Sequence, residues 1–177
     1  MKNSKKLSVK TLCYVSLFTA LICIGAFIKI PFALPVTLQL LFTNTAALTL
    51  GRKSAFSVLA YILMGLVGLP VFSSGGGISA VFSLTFGFNI GFLIGAFFAG
   101  AIAEKSKSIR TLTLASGINM LCVYICGALY FWLLQNLYFT APSSIGYALY
   151  ACVLPFIIPD AVKCAVSVLL SKRIKNF

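Results

Sequence analysis

The sequence predicts an all-α integral membrane protein with six transmembrane helices, and its composition and hydrophobic pattern are the reasons. Hydrophobic residues make up 60% of the 177 positions, and only 9% are charged. Soluble domains of this length do not bury so much apolar surface, whereas each membrane crossing needs about 20 apolar helical residues. The length suits a single membrane domain, 1–177, with room for about six crossings and their loops.

Breaks in the apolar pattern separate the six predicted spans. The breaks lie at Pro31 and Pro35, Arg52-Lys53, Gly75-Gly76-Gly77, 105–110 and Pro142-Ser143-Ser144. We expect spans at about 11–29, 37–50, 54–72, 84–103, 111–135 and 146–171. Because proline is favoured in the first turn of a helix, the last span is expected to consist of a shallow segment near 146–157 and a helix that begins near Pro159.

The basic residues predict the orientation. If the N-terminus is inside, twelve of the 14 basic residues fall on the cytoplasmic side, as the positive-inside rule requires. These twelve are Lys2, Lys5, Lys6, Lys10, Arg52, Lys53, Lys105, Lys107, Arg110, Lys172, Arg173 and Lys175. Both termini are therefore expected to be cytoplasmic. This placement also explains the net charge of +12 without nucleic acid, for which no binding motif is present.

Asp160 and Lys163 are the strongest candidates for a functional site. The chain has only two acidic residues, and Glu104 lies at the end of an apolar span, beside Lys105. Asp160 lies inside an apolar stretch, and Lys163 follows on the same helix face. A charge within the membrane costs at least ~2.5–3.5 kcal/mol, which favours a functional pair. Asp160 precedes Lys172 by ~18 Å of helix, which places it in the outer half of the membrane.

Several kinds of chemistry are excluded by the residues present. The chain has no histidine, so neither a Ser-His-Asp nor a Cys-His arrangement can form. It has no phosphate-binding loop, so it does not hydrolyse ATP by that route. The six cysteines suit structural positions in apolar spans. We expect no enzymatic activity, no metal and no cofactor.

Polar and aromatic residues at the outer ends of the spans are further candidates for a small-molecule site. Gln39 and Asn89 are the polar candidates, because such sites combine an apolar pocket with a few converging polar groups. Phe72 and Phe88 fit either that pocket or an interfacial aromatic belt. In the first span, Ser16 and Ala20 form a small-xxx-small pair, which suits docking to a partner or packing within the bundle.

Four stretches in order resemble the BioY family, the substrate-binding membrane subunits of energy-coupling-factor biotin transporters. They are Pro35-Val-Thr-Leu-Gln39, Gly65-Leu-Val-Gly-Leu-Pro-Val-Phe72 with the following Ser-Ser-Gly-Gly-Gly77, Leu84-Thr-Phe-Gly-Phe-Asn-Ile-Gly-Phe92, and Pro159-Asp-Ala-Val-Lys163. Asn89 stands where some members carry arginine. The predicted spans, the inward termini and the size agree with the family along the whole chain.

The resemblance implies a ligand, a set of contacts and partners. The ligand would be biotin, with Asp160 accepting the ureido N–H groups and Gln39 or Asn89 donating to an oxygen of the ligand. Lys163 would pair with the ligand carboxylate or hold Asp160 in place. Gly76 and Gly77 would let the backbone approach the ligand, and Phe72 would cover its ring. The partners would be a transmembrane coupling subunit and two cytoplasmic ATPases, in a lipid bilayer.

The residues themselves leave alternatives open. The same architecture suits another vitamin, such as thiamine or riboflavin. A second alternative is an intramembrane enzyme that uses Asp160 as its base. A third is a packing subunit in which Asp160 and Lys163 form a structural pair. Biotin and Asp160 together carry two negative charges against one on Lys163. Lys29 is either the missing cation or an anchor at the membrane surface.

Overall fold

The computed structural model describes residues 8–30, 34–139 and 143–175. Seven α-helices are present in these ranges: α1 (Val9–Phe27), α2 (Gln39–Leu50), α3 (Ser54–Leu66), α4 (Phe86–Lys105), α5 (Ile109–Leu137), α6 (Ile145–Cys152) and α7 (Ile157–Lys175). Short 3₁₀ turns occupy Gly51–Lys53, Ile78–Phe82 and Leu154–Phe156. Two short antiparallel strands, β1 (Lys29–Ile30) and β2 (Val36–Thr37), precede α2, with Lys29 opposite Thr37.

Five helical segments within the described ranges are long and apolar enough to cross a membrane. They are Val9–Phe27, Gln39–Leu66, Phe86–Lys105, Ile109–Leu137 and Ile145–Ile174. Their lengths of 19 to 30 residues suit a hydrocarbon core about 30 Å thick. The chain is therefore a multi-pass, all-α membrane protein.

The Gln39–Leu66 segment folds back on itself. The Gln39 Nε2 atom donates a hydrogen bond to the Tyr61 hydroxyl at 2.8 Å. In one continuous helix these two residues would lie about 33 Å apart, so α2 and α3 must run antiparallel. Gly51, with φ +66°, ends α2 in a left-handed conformation that favours glycine. The predicted break at Arg52-Lys53 is this turn.

The third helix is shorter than the predicted span of 54–72. It ends at Leu66, because Gly68 has φ +112° and so leaves the helical region. The last predicted span, by contrast, is divided as expected into α6, a 3₁₀ turn and α7. Pro159 lies in the first turn of α7, which begins at Ile157. This first turn carries Asp160, where the helix dipole favours a negative charge.

Close packing between α4 and α5 depends on small residues. Gly87, Gly91 and Gly95 on α4 face α5, and a Cβ atom at any of them would collide with α5 atoms. Gly95 lies against Asn119, whose Nδ2 atom donates to Asn44 Oδ1 at 2.6 Å. Asn44 in turn donates to Cys164 Sγ at 3.3 Å. This buried polar contact joins α2, α5 and α7 in the interior of the bundle.

Candidate ligand-binding site

A cavity of about 50 Å³ lies where β2 and the N-terminal ends of α2, α4 and α7 meet the middle of α5. Its lining consists of Leu34, Pro35, Thr37, Gln39, Leu40, Ser73, Thr85, Phe88, Asn89, Phe92, Val123, Tyr124, Phe156, Asp160 and Lys163. Five of the eight predicted binding residues are in this lining: Gln39, Phe88, Asn89, Asp160 and Lys163. Residues far apart in sequence thus meet in one place.

The charged part of the cavity is built on α7 and α5. Lys163 Nζ lies 2.6 Å from Asp160 Oδ1, and the two side chains are only 9% and 6% exposed. The Tyr124 hydroxyl donates to the other carboxylate oxygen, Oδ2, at 2.9 Å. A carboxylate oxygen accepts more than one hydrogen bond, so both oxygens retain capacity for a ligand donor. The carboxylate is thus fixed in orientation and still able to accept.

The amide side chains of the lining differ in their partners. Gln39 is held at both atoms of its amide, since its Nε2 donates to Tyr61 and its Oε1 accepts from the Thr37 hydroxyl at 3.0 Å, and the second N–H of Nε2 remains able to donate. Asn89 is 8% exposed, and its side chain has no hydrogen-bond partner among the residues that the structure describes. Buried polar groups are normally satisfied, so an unpartnered amide on a cavity wall is a feature that a polar ligand would explain.

The apolar walls come from aromatic and aliphatic side chains. Phe88 and Phe156 lie with ring centroids 6.0 Å apart, and Phe92 and Val123 are buried beside the cavity. Leu34 and Leu40 contribute from the β2 and α2 side. Apolar walls with a few fixed polar groups are typical of small-molecule sites.

The structure places Phe72 behind the cavity lining. Its ring is 3% exposed and makes edge contacts with Tyr61 at 5.3 Å and Phe86 at 6.0 Å. It also packs directly on Gly65, where no larger side chain would fit. Since Tyr61 accepts the hydrogen bond from Gln39, Phe72 supports the cavity wall from the layer behind it.

The predicted glycines also lie outside the lining. The Gly77 N–H donates to the Gly65 carbonyl at 2.8 Å, with φ +100°, and Gly76 packs against the Leu69 carbonyl. They fold the loop back onto the end of α3. The preceding residue Ser73 does reach the cavity, and its carbonyl accepts a hydrogen bond from Lys29 Nζ at 3.0 Å.

Sequence reasoning missed Tyr124, Thr37 and Ser73. Tyr124 had a detectable signal, because a tyrosine in the middle of an apolar span needs a partner for its hydroxyl, whereas tyrosines at span ends suit the membrane interface. Thr37 and Ser73 had none, since their importance depends on a loop conformation. Ser16 and Ala20 lie on the exposed side of α1, next to the buried Val15 and Thr19 that face the bundle.

These features define a class: a multi-pass helical membrane protein with a buried ion pair on the wall of a small internal cavity. A profile described as the BioY family matches residues 1–177, and the chain belongs to that family.

Relatives and a solved structure resemble the chain along its length. A probable biotin transporter BioY of Lysinibacillus sphaericus is 36% identical over 96% of this chain and 89% of the relative. One from Pyrococcus horikoshii is 37% identical over 96% and 99%. The crystal structure of an S-component for biotin from an ECF-type ABC transporter superposes with a TM-score of 0.85 at 27% identity, covering 100% of this chain and 95% of that one.

Proposed function

We propose that this protein captures biotin in the described cavity and serves as the substrate-binding subunit of an energy-coupling-factor transporter. The observation that carries the proposal is the buried Asp160–Lys163 pair, which lines a cavity. A purely structural pair would not need to border a cavity that also contains Asn89, a buried amide with no hydrogen-bond partner among the described residues. The named relatives and the matching S-component support biotin over another vitamin as the ligand.

The chemistry of the lining fits the chemistry of biotin. The ureido ring offers N–H donors, and Asp160 is an acceptor whose orientation is already fixed by Lys163 and Tyr124. Asn89 lines the cavity and supplies an amide N–H for an oxygen of the ligand. Phe88, Phe92 and Phe156 offer apolar surface to the thioether ring and the chain. Phe72 contributes indirectly by supporting Tyr61, and Gly76 and Gly77 by shaping the loop that carries Ser73.

The cavity is small for a ligand of the size of biotin. A space of about 50 Å³ accommodates water molecules, whereas ligand pockets usually measure about 300–1,000 Å³. We infer that the lining residues separate when biotin binds.

We also propose that the bundle crosses the membrane six times with both termini in the cytoplasm. The α2–α3 hairpin contributes two crossings whose helices have 12 and 13 residues; at about 18 and 20 Å these helices are shorter than the hydrocarbon core, so the flanking chain completes each crossing. Arg52 at its turn pairs with Glu104 at the end of α4, at 2.8 Å, and Lys107 donates to the Leu48 carbonyl at 3.4 Å. Two basic regions of the sequence, the α2–α3 turn and the loop between α4 and α5, therefore meet at one end of the bundle, as the positive-inside rule requires.

The proposed partners are a transmembrane coupling subunit and two cytoplasmic ATPase subunits. The chain has no nucleotide-binding loop, so active uptake would require ATP hydrolysis by another protein. The small residues Ser16 and Ala20 are exposed on α1, where a helix of the coupling subunit could approach closely.

The proposal is tested by analysing small molecules that leave the purified protein on denaturation. Mass spectrometry is expected to detect biotin, and labelled biotin is expected to replace it before denaturation. Thiamine and riboflavin serve as competitors that should not displace the label. A protein that is folded, empty and indifferent to added biotin would contradict the proposal and leave a structural ion pair as the better explanation.

A further inference from the structure

The cavity has a charge deficit if its ligand is biotin, on which this inference rests. Among the lining residues, only Asp160 and Lys163 carry formal charge, and they neutralise each other at 2.6 Å. The remaining polar side chains of the lining are the uncharged Thr37, Gln39, Ser73, Thr85, Asn89 and Tyr124. A bound carboxylate would leave the site with a net negative charge, which is unfavourable in a partly desolvated place.

Lys29 lies at the edge of this uncharged part of the cavity. Strand pairing places Lys29 opposite Thr37, which lines the cavity and hydrogen-bonds to Gln39. The Lys29 ammonium group donates to the carbonyl of Ser73, another lining residue, at 3.0 Å. Lys29 therefore connects two parts of the cavity wall, β2 through its backbone and the loop that follows α3 through its side chain.

The positive charge of Lys29 has no competing anionic side chain. Both acidic side chains of the protein already have cationic partners: Asp160 pairs with Lys163, and Glu104 pairs with Arg52 at 2.8 Å. An ammonium group has three donors, and the Ser73 carbonyl uses one of them. The other two donors can bind an anion that reaches this edge of the cavity.

We propose that Lys29 binds the carboxylate of the ligand while Asp160 holds its ureido ring. The site then has two cations and two anions, one pair at each end of the ligand. If Lys29 is only a membrane-surface anchor, its effect on ligand affinity does not depend on the charge of the ligand. If Lys29 binds the carboxylate, its effect must depend on that charge. This difference separates the two roles of Lys29 experimentally.

The test compares biotin with its neutral carboxamide, biotinamide, in binding titrations of the detergent-purified protein. For Lys29→Gln, we expect biotin to bind about three- to tenfold more weakly, the range of an exposed to partly buried charge contact, with biotinamide affinity unchanged. Lys29→Arg should retain the preference for biotin. Lys53→Gln, a charge removal at the α2–α3 turn, should change neither affinity.

Other results would overturn the proposal. If Lys29→Gln weakens both ligands equally, or neither, Lys29 is not the carboxylate partner. If the unaltered protein binds biotin and biotinamide equally well, the carboxylate has no cationic partner at all. If the unaltered protein binds neither ligand, the proposed function fails before the role of Lys29 is reached, and the two failures are thus distinguishable.

Discussion

Asp160 combines deep burial with a fully determined orientation, because each of its oxygens has a different protein partner. Lys163 Nζ contacts one oxygen at 2.6 Å and the Tyr124 hydroxyl contacts the other at 2.9 Å. Two partners from two helices fix the plane of the carboxylate. A ligand that donates two N–H groups meets a carboxylate whose plane is already fixed, and preorganisation of this kind raises affinity.

Asp160→Asn is expected to abolish high-affinity biotin binding while the protein stays folded. The change removes the negative charge that accepts the ligand N–H groups, and two charge-assisted hydrogen bonds at about 1.5–3 kcal/mol each correspond to a loss of at least about 100-fold in affinity. Isothermal titration in detergent measures the affinity. Size-exclusion chromatography and thermal unfolding report the fold.

The matched control is Glu104→Gln, the only other carboxylate that can be neutralised in the same way. Its ion pair with Arg52 is exposed, because the Glu104 side chain is 38% accessible and the Arg52 side chain 59%. Loss of this pair should lower the free energy of unfolding by about 0–1 kcal/mol and leave biotin affinity unchanged. Unchanged biotin affinity in Asp160→Asn would remove Asp160 from the binding site.

The predictability of the individual residues follows from their chemistry. The sequence indicates Asp160 and Lys163 as candidates because a charge in an apolar span has few explanations. Phe72 and the glycines were predicted as direct contacts, whereas the structure places them behind the cavity lining. The sequence motif identifies the segment that carries Phe72 and the glycines. The direction of each side chain, however, depends on how the loop after α3 folds back onto that helix.

At the scale of elements, glycine, proline and paired charges in the sequence predict where helices end. The turn at Gly51–Lys53 and the division between α6 and α7 follow from such local signals. The end of α3 at Leu66 was missed, because the apolar pattern continues through Val67 and Leu69 into a loop that is not helical. Hydrophobicity marks burial in protein or lipid and does not by itself specify a helix.

The contact between Gly65 and Phe72 gives the element-scale prediction. A Cβ atom at Gly65 would overlap the Phe72 ring, so Gly65→Ala must displace a buried aromatic side chain that supports Tyr61. Overpacking of this kind typically costs about 1–3 kcal/mol. We expect a lower thermal unfolding temperature and weaker biotin binding, measured on the same purified sample.

Gly117→Ala is the control for that substitution. Gly117 lies in α5 with no atom within 4 Å of the added Cβ position, so alanine adds helix propensity without a collision. Its unfolding temperature should stay the same or rise. If Gly65→Ala behaves like Gly117→Ala, the loop after α3 is loosely packed and Phe72 does not support the wall.

For the whole molecule, the distribution of charge and the position of the cavity point to opposite ends of the bundle. Arg52, Glu104 and Lys107 cluster where α2 and α4 end, whereas Asp160 and Asn89 lie near the starts of α7 and α4. With the basic end inside, the cavity lies in the outer half of the membrane. That is the side from which a substrate-binding subunit for uptake must take its ligand.

Cysteine labelling in intact cells tests this orientation. None of the six native cysteines lines the cavity, so they can be replaced without removing a wall of the site. In that background, Ser74→Cys in the loop after α3 should react with a membrane-impermeant maleimide in intact cells. Ser106→Cys in the loop between α4 and α5 should react only after permeabilisation. Both positions are exposed, so accessibility to water does not differ between them.

The reverse labelling pattern would place the basic end outside and the cavity towards the cytoplasm. Asp160 would then be reached from the wrong side for uptake, and the positive-inside rule would fail for a chain whose sequence predicts twelve of its 14 basic residues on one side. Labelling of both positions in intact cells would instead mean that the loops lie on the same side. The α4 helix of 20 residues, which separates them, would then not cross the membrane.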